Sequence, residues 1–130
     1  MRLIIGGRAQ GKLDYLLAKG ELDPSQVLDG ASCPLDPPPG GAAALDHLHL
    51  WVRRALLAGR DPLEALSAWE RARPEIVFLC DEVGCGVVPL DPFDRVWRES
   101  VGRLCCRLAA RAARVERVFC GVPTILKEEH

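Results

Sequence analysis

Arg2-Leu3-Ile4-Ile5-Gly6-Gly7-Arg8-Ala9-Gln10-Gly11-Lys12-Leu13-Asp14-Tyr15 decides how the chain is read. Residues 2–5 are a short apolar run of the kind that makes a buried strand. Residues 6–12 form a glycine-bearing turn that ends in a lysine. Residues 13–18 then read as a helix. Strand, glycine-rich turn, lysine and helix, in that order, is the setting in which backbone N–H groups cradle a phosphate. Gly6, Gly11 and Lys12 fit the spacing G-x-x-x-x-G-K. The next position of that pattern asks for a Ser or Thr hydroxyl, and here it is Leu13. The candidate loop is therefore Gly6, Gly7, Arg8, Ala9, Gln10, Gly11, Lys12 and Leu13.

Working outward, the helix after the loop ends near Lys19, with Gly20 as its stop. Gln26-Val27-Leu28-Asp29-Gly30 reads as a short strand ending in an acid. Two roles stay open for Asp29: an acid toward magnesium at the edge that carries the loop, or the cap of a turn. Residues 31–41, rich in Pro and Gly, are a loop. Residues 42–57 have helical periodicity, with Leu45, Leu48, Val52 and Leu56 on one face. His47 and His49 lie in that predicted helix. At i, i+2 they point in different directions and cannot share a metal. They are either exposed side chains or, singly, an acid or nucleophile.

Asp61-Pro62 opens another helix, to about Arg73, with Asp61 as its cap. Glu75 to Asp81 is almost continuously apolar, as a central parallel strand should be. It ends in a second acid pair, Asp81-Glu82. Residues 83–89 are punctuated by glycine and read as a tight ribbon or a bulged turn. Asp91 or Asp94 begins a long helix to about Arg114. Phe93, Trp97, Val101, Leu104, Leu108 and Ala112 make its buried face, and Arg103, Arg107, Arg111 and Arg114 a charged stripe. Two short strands, near 117–121 and 124–127, close the chain. Strands alternating with helices predict an α/β fold, a mostly parallel sheet flanked by helices, with a C-terminal edge strand.

The 130 residues suffice for one domain, 1–130. A net charge of −1 gives no pull toward nucleic acid or a membrane surface. No apolar run is long enough to cross a bilayer. Without a secretory-type start, the sequence predicts a cytoplasmic protein. The six cysteines contain no C-x-x-C pair, so they read as buried free thiols, with Cys80 and Cys120 in core strands and a Cys33–Cys85 contact left open.

Asp81-Glu82-Val83-Gly84-Cys85-Gly86-Val87-Val88-Pro89 resembles the pattern T-N-E-V-G-x-G-I-V-P. Arg98-Glu99-Ser100-Val101-Gly102-Arg103-Leu104-Cys105-Cys106 resembles R-D-x-x-G-R-x-N-Q, and Gly121 through Lys127 the ending G-x-x-x-x-x-K. At the other end, Gly6 to Lys12 is similar to G-G-A-R-S-G-K-S. These patterns belong to the adenosylcobinamide kinase/adenosylcobinamide-phosphate guanylyltransferase family of cobalamin biosynthesis. The resemblance covers the first twenty and the last fifty residues.

It implies a single P-loop NTPase-like domain that binds GTP or ATP with Mg2+ and phosphorylates the side-chain hydroxyl of adenosylcobinamide. By that resemblance Lys12 neutralises the phosphates, and Asp29 with Glu82 or Asp81 holds the magnesium. It also implies a homo-oligomer, a trimer. The family's guanylylated histidine lies in a segment that this chain lacks, and neither His47 nor His49 takes its place. Loss of the guanylyltransferase half is therefore expected. The alternative is a non-catalytic nucleotide- or corrinoid-binding relative that acts as a regulator or partner subunit. A third reading takes residues 6–12 as a plain strand-to-helix turn.

Overall fold

The computed structural model describes residues 1–83 and 91–129. The glycine-punctuated segment and Cys85 therefore lie outside the described residues. The elements are β1 (Arg2–Gly6), α1 (Lys12–Ala18), a 3-10 turn (Pro24–Gln26), β2 (Val27–Asp29), β3 (Ala44–Asp46), α2 (Leu48–Leu57), α3 (Pro62–Ala72), β4 (Val77–Asp81), α4 (Pro92–Arg111), β5 (Arg114–Phe119) and β6 (Val122–Glu128). The strands form one sheet in the order β2-β3-β4-β1-β5-β6. All pairings are parallel except the last, where β6 runs antiparallel along the edge. The α/β architecture is the one the alternating pattern implies.

Alternation along the strands separates the two faces. Ile4, Val77, Leu79 and Val118 point to one side and pack with Leu16, Leu13 and Tyr15 of α1. Leu3, Leu45, Phe78, Cys80 and Val115 point to the other. There they meet Trp51 and Val52 of α2, Leu66 and Trp69 of α3, and Leu104 and Leu108 of α4. Both faces of the parallel part are covered, which is why β4 reads as an unbroken apolar run. At α3 and α4 the predicted caps form: Asp61 accepts from the Leu63 N–H, Asp91 accepts from the Phe93 N–H, and proline follows each.

Three local expectations are corrected. The helix expected over 42–57 is a strand, a break and a shorter helix. Ala44–Asp46 pairs with β2 on one side and β4 on the other, and that pairing overrides the helical spacing of Leu45 and Leu48. His47, at φ 52, is left-handed and separates strand from helix. The arginine stripe loses Arg114: Ala112 turns extended and Arg114 opens β5. Cys120 is not in the core. It sits exposed at the β5–β6 turn with φ 50, where only a tight reversal places it. Cys80 and Cys33 are buried free thiols, as expected, whereas Cys105 is half-buried and Cys106, on the outer face of α4, is exposed.

Candidate functional site

β1 lies between β4 and β5, so the loop that leaves its C-terminal end opens onto the ends of both neighbours. Crevices at such strand ends are where α/β sheets bind ligands. The loop is clamped on both sides. The Glu82 N–H donates to the Gly6 carbonyl at 2.9 Å, and the Gly121 N–H donates to the Gln10 carbonyl at 2.8 Å. The Gln10 side-chain oxygen accepts from the Cys120 N–H at 2.7 Å. Gly6 is required by packing, because a Cβ there would sit 2.5 Å from the Val118 carbonyl oxygen. Gly11, at φ 88, turns the chain into α1.

Lys12 folds back over its own loop. Its side chain is only 7% exposed, and its Nζ lies 2.7 Å from Asp81 Oδ1. It also donates to the carbonyls of Gly7 at 2.9 Å and Gly6 at 3.4 Å. Asp81, at the end of β4, is held from its other side by His49. The Asp81 N–H donates to His49 Nδ1 at 3.2 Å, and His49 Nε2 lies 3.4 Å from Asp81 Oδ2. With Nδ1 accepting, the ring proton belongs on Nε2, facing the carboxylate. Burial pushes the His49 imidazolium pKa down, against the charge of Asp81, and so favours the neutral ring.

The strand that sequence reading missed delivers the other acid. β3 ends at Asp46, which is almost fully buried and lines the same cleft. Its Oδ1 accepts from the His47 N–H at 2.8 Å. Asp46 lay inside a predicted helix, so nothing marked it as a strand-terminal acid. The one signal was the doublet Asp46-His47 before an apolar helix stretch, which has the form of a cap.

The expected acids fall in different places. Asp29 ends β2, at the far edge of the sheet, and does not line the cleft. Its carboxylate accepts from the Ala31 N–H and lies 2.9 Å from His47 Nδ1. The Ala31 N–H holds the Asp29 carboxyl below the usual carboxylate range against slight burial, helped by His47. Burial alone would lower the His47 pKa, and its hydrogen bond to Asp29 and the charges of Asp46, Asp29 and Asp81 raise it instead. Glu82 lines the cleft and faces Arg117 in a two-point contact, at 2.9 and 3.1 Å.

The cleft so formed encloses about 930 Å³. Residues 8–14 make one wall, with Leu13 shared between the cleft and the core under α1. Asp46, His47, His49, Asp81 and Glu82 form its floor, and Trp97 and Arg98 of α4 close the far side. Trp97 is fixed by its indole N–H, which donates to the His49 carbonyl at 2.7 Å, and the Arg53 guanidinium stacks over its ring. Among the described residues no three His, Cys, Asp or Glu side chains converge as a self-sufficient metal cage. No described helix is long and apolar enough to cross a membrane.

No curated protein matches the chain. The family model described as Cobinamide kinase / cobinamide phosphate guanyltransferase matches residues 35–126. That stretch takes in β3, the cleft floor and α4. It is wider in the middle of the chain than the motif resemblance, and it begins after the glycine-rich loop. The match covers well over half of the 130 residues, and its α/β sheet agrees with the P-loop NTPase-like fold of the family. The chain belongs to the cobinamide kinase / cobinamide phosphate guanyltransferase family of cobalamin biosynthesis.

Proposed function

We propose that the chain binds a nucleoside triphosphate, GTP or ATP, along Gly6 to Leu13 and transfers its terminal phosphoryl group to the side-chain hydroxyl of cobinamide. The observation that carries this reading is the convergence of the loop, Lys12, Asp46, Asp81 and Glu82 on one cleft. Phosphoryl transfer asks for positioning and charge stabilisation more than for covalent chemistry. The loop N–H groups and Lys12 supply the positive end. Trp97 and Arg98, on the opposite wall, bound the space left for the acceptor.

Mg2+ fits the donor set. It needs only one or two carboxylates, because phosphates and water complete its shell. Asp46 is the best placed of the acids, since its Oδ2 has only a 3.8 Å approach from His47 Nδ1. Asp81 is engaged by Lys12, Glu82 by Arg117, and Asp29 lies outside the cleft. Bound there, the ion would neutralise charge on the transferring phosphoryl group. The guanylyltransferase half is lost in this reading, because the segment in which the family carries its guanylylated histidine has no counterpart in the short connection from α1 to β2. The exposed apolar side chains Val122, Ile125 and Leu126 on edge strand β6 support the expected assembly into a homo-oligomer.

Calorimetric titration with ATP and GTP tests the binding step. Lys12→Ala should weaken affinity at least ~100-fold, since a charge-assisted contact to phosphate is removed in a partly buried site. Equal affinities would remove the loop from the site. Labelled nucleotide, Mg2+ and cobinamide incubated with the protein should then yield a labelled corrinoid. Binding without any labelled corrinoid would favour the second reading, a non-catalytic relative acting as a regulator or partner subunit. That reading is supported by Leu13 at the hydroxyl position and by the capture of Lys12 within the protein.

A further inference from the structure

We infer that Asp81 is a positioning residue that competes with phosphate for Lys12 and so sets the affinity of the loop for anions. The inference rests on the loop being the phosphate site. A lysine ammonium has three donor protons. Here three acceptors of the chain itself meet Nζ: the carbonyls of Gly6 and Gly7 and the carboxylate of Asp81. An incoming phosphate therefore finds no spare donor on Lys12 and must displace one of these partners.

Asp81 is the partner that matters, for two reasons. It alone carries a full charge, and it makes the shortest contact, at 2.7 Å. The carboxylate is not free to swing aside. His49 Nε2 faces its Oδ2, the Asp81 backbone N–H donates to His49 Nδ1, and Trp97 in turn donates to the His49 carbonyl. Lys12 and Asp81 are 7% and 18% exposed, so water screens their attraction only weakly. The resting state is a closed ion pair, and an anion binds by opening it.

The test is a titration with ATP in the presence of EDTA, on wild type, Asp81→Asn, Lys12→Ala and the double variant. Leaving Mg2+ out separates competition for Lys12 from any part Asp81 plays toward the metal. Asp81→Asn keeps the shape and the contact with His49 while removing the charge. It should bind ATP about 10-fold tighter than wild type, the scale of freeing one ammonium from its carboxylate partner. The gain must vanish in the double variant, because it acts through Lys12. A merely structural Asp81 produces no gain in affinity and no dependence on Lys12. Affinity equal to or below that of wild type in Asp81→Asn overturns the inference, as does a gain that persists without Lys12. If wild type binds and Lys12→Ala binds equally well, the phosphate-loop reading is lost as well. If no variant binds ATP, both are lost.

Discussion

Two acid–base clusters flank β1, and they use similar chemistry for different ends. On the α1 side, Glu116 is fully buried and takes Arg2, Arg114 and the Tyr15 hydroxyl as partners. At the strand's C-terminal end, Asp81 takes Lys12 and His49. The Glu116 cluster joins β1, β5 and α1 and lines neither cleft wall nor floor. The Asp81 cluster lies on the floor of the cleft. Burial alone would raise the Glu116 carboxyl, but hydrogen bonds from Arg2 and Tyr15 and the nearby guanidinium charges hold it below the usual range. A carboxylate sealed among its partners is part of the fold. A carboxylate that holds a lysine at the wall of a cleft is a competitor for whatever enters.

The contrast breaks first on stability. Glu116→Ala removes the carboxylate that Arg2 and Tyr15 share and leaves Arg114 with Glu128 alone, and urea unfolding should show a loss of about 3 kcal/mol. Asp81→Asn, judged by the same measurement, should lose much less. Comparable losses would mean that both clusters are structural. The acid limb sharpens the point. Because the folded-state pKa of Glu116 is depressed, its contribution is present above the unfolded carboxyl value, roughly 4.3, and is lost as pH falls through the lower folded value. Unfolding measured from pH 6 downward should therefore be less pH-dependent in Glu116→Gln than in wild type.

A smaller effect is expected where neither cluster is touched. At Gly30 a Cβ would lie 2.4 Å from the His47 carbonyl oxygen and 2.8 Å from that of Asp46. Gly30→Ala should cost about 2 kcal/mol and displace Asp46 and His47 together, read as a weaker response of ATP binding to Mg2+. A variant with wild-type stability would show that the β2 and β3 ends are less tightly joined than their contact implies. The smallest effect concerns His47, which is too exposed for its ion pair to matter much to folding. Its imidazole should titrate above the ordinary 6.5 by NMR and move down in Asp29→Asn. The small stability it adds is present below pH 6.5 and is lost as pH rises through its folded value. An unshifted His47 would dissolve the Asp29 contact.

The glycine-rich loop, the apolar run of β4, the capped starts of α3 and α4 and the family motifs are local patterns, and each is legible in the order of residues. Leu13 at the hydroxyl position is legible in the same way. β3 is not, because three residues carry too little pattern to outvote the helical spacing around them. The partners β2 and β4 that make Ala44–Asp46 a strand come from distant parts of the chain. With β3 hidden, Asp46 stayed hidden, and the acids read from the sequence were Asp29, Asp81 and Glu82, of which Asp81 and Glu82 line the cleft. The capture of Lys12 by Asp81 is further still from the linear text. The two residues are 69 positions apart, brought together by the parallel register that sets Gly6 beside Asp81. Short-range spacing therefore specifies that a glycine-bearing strand-to-helix loop ending in a lysine forms. Whether its lysine stands open or closed is set by which strand end lands beside it, a matter of sheet order and register that no local stretch encodes.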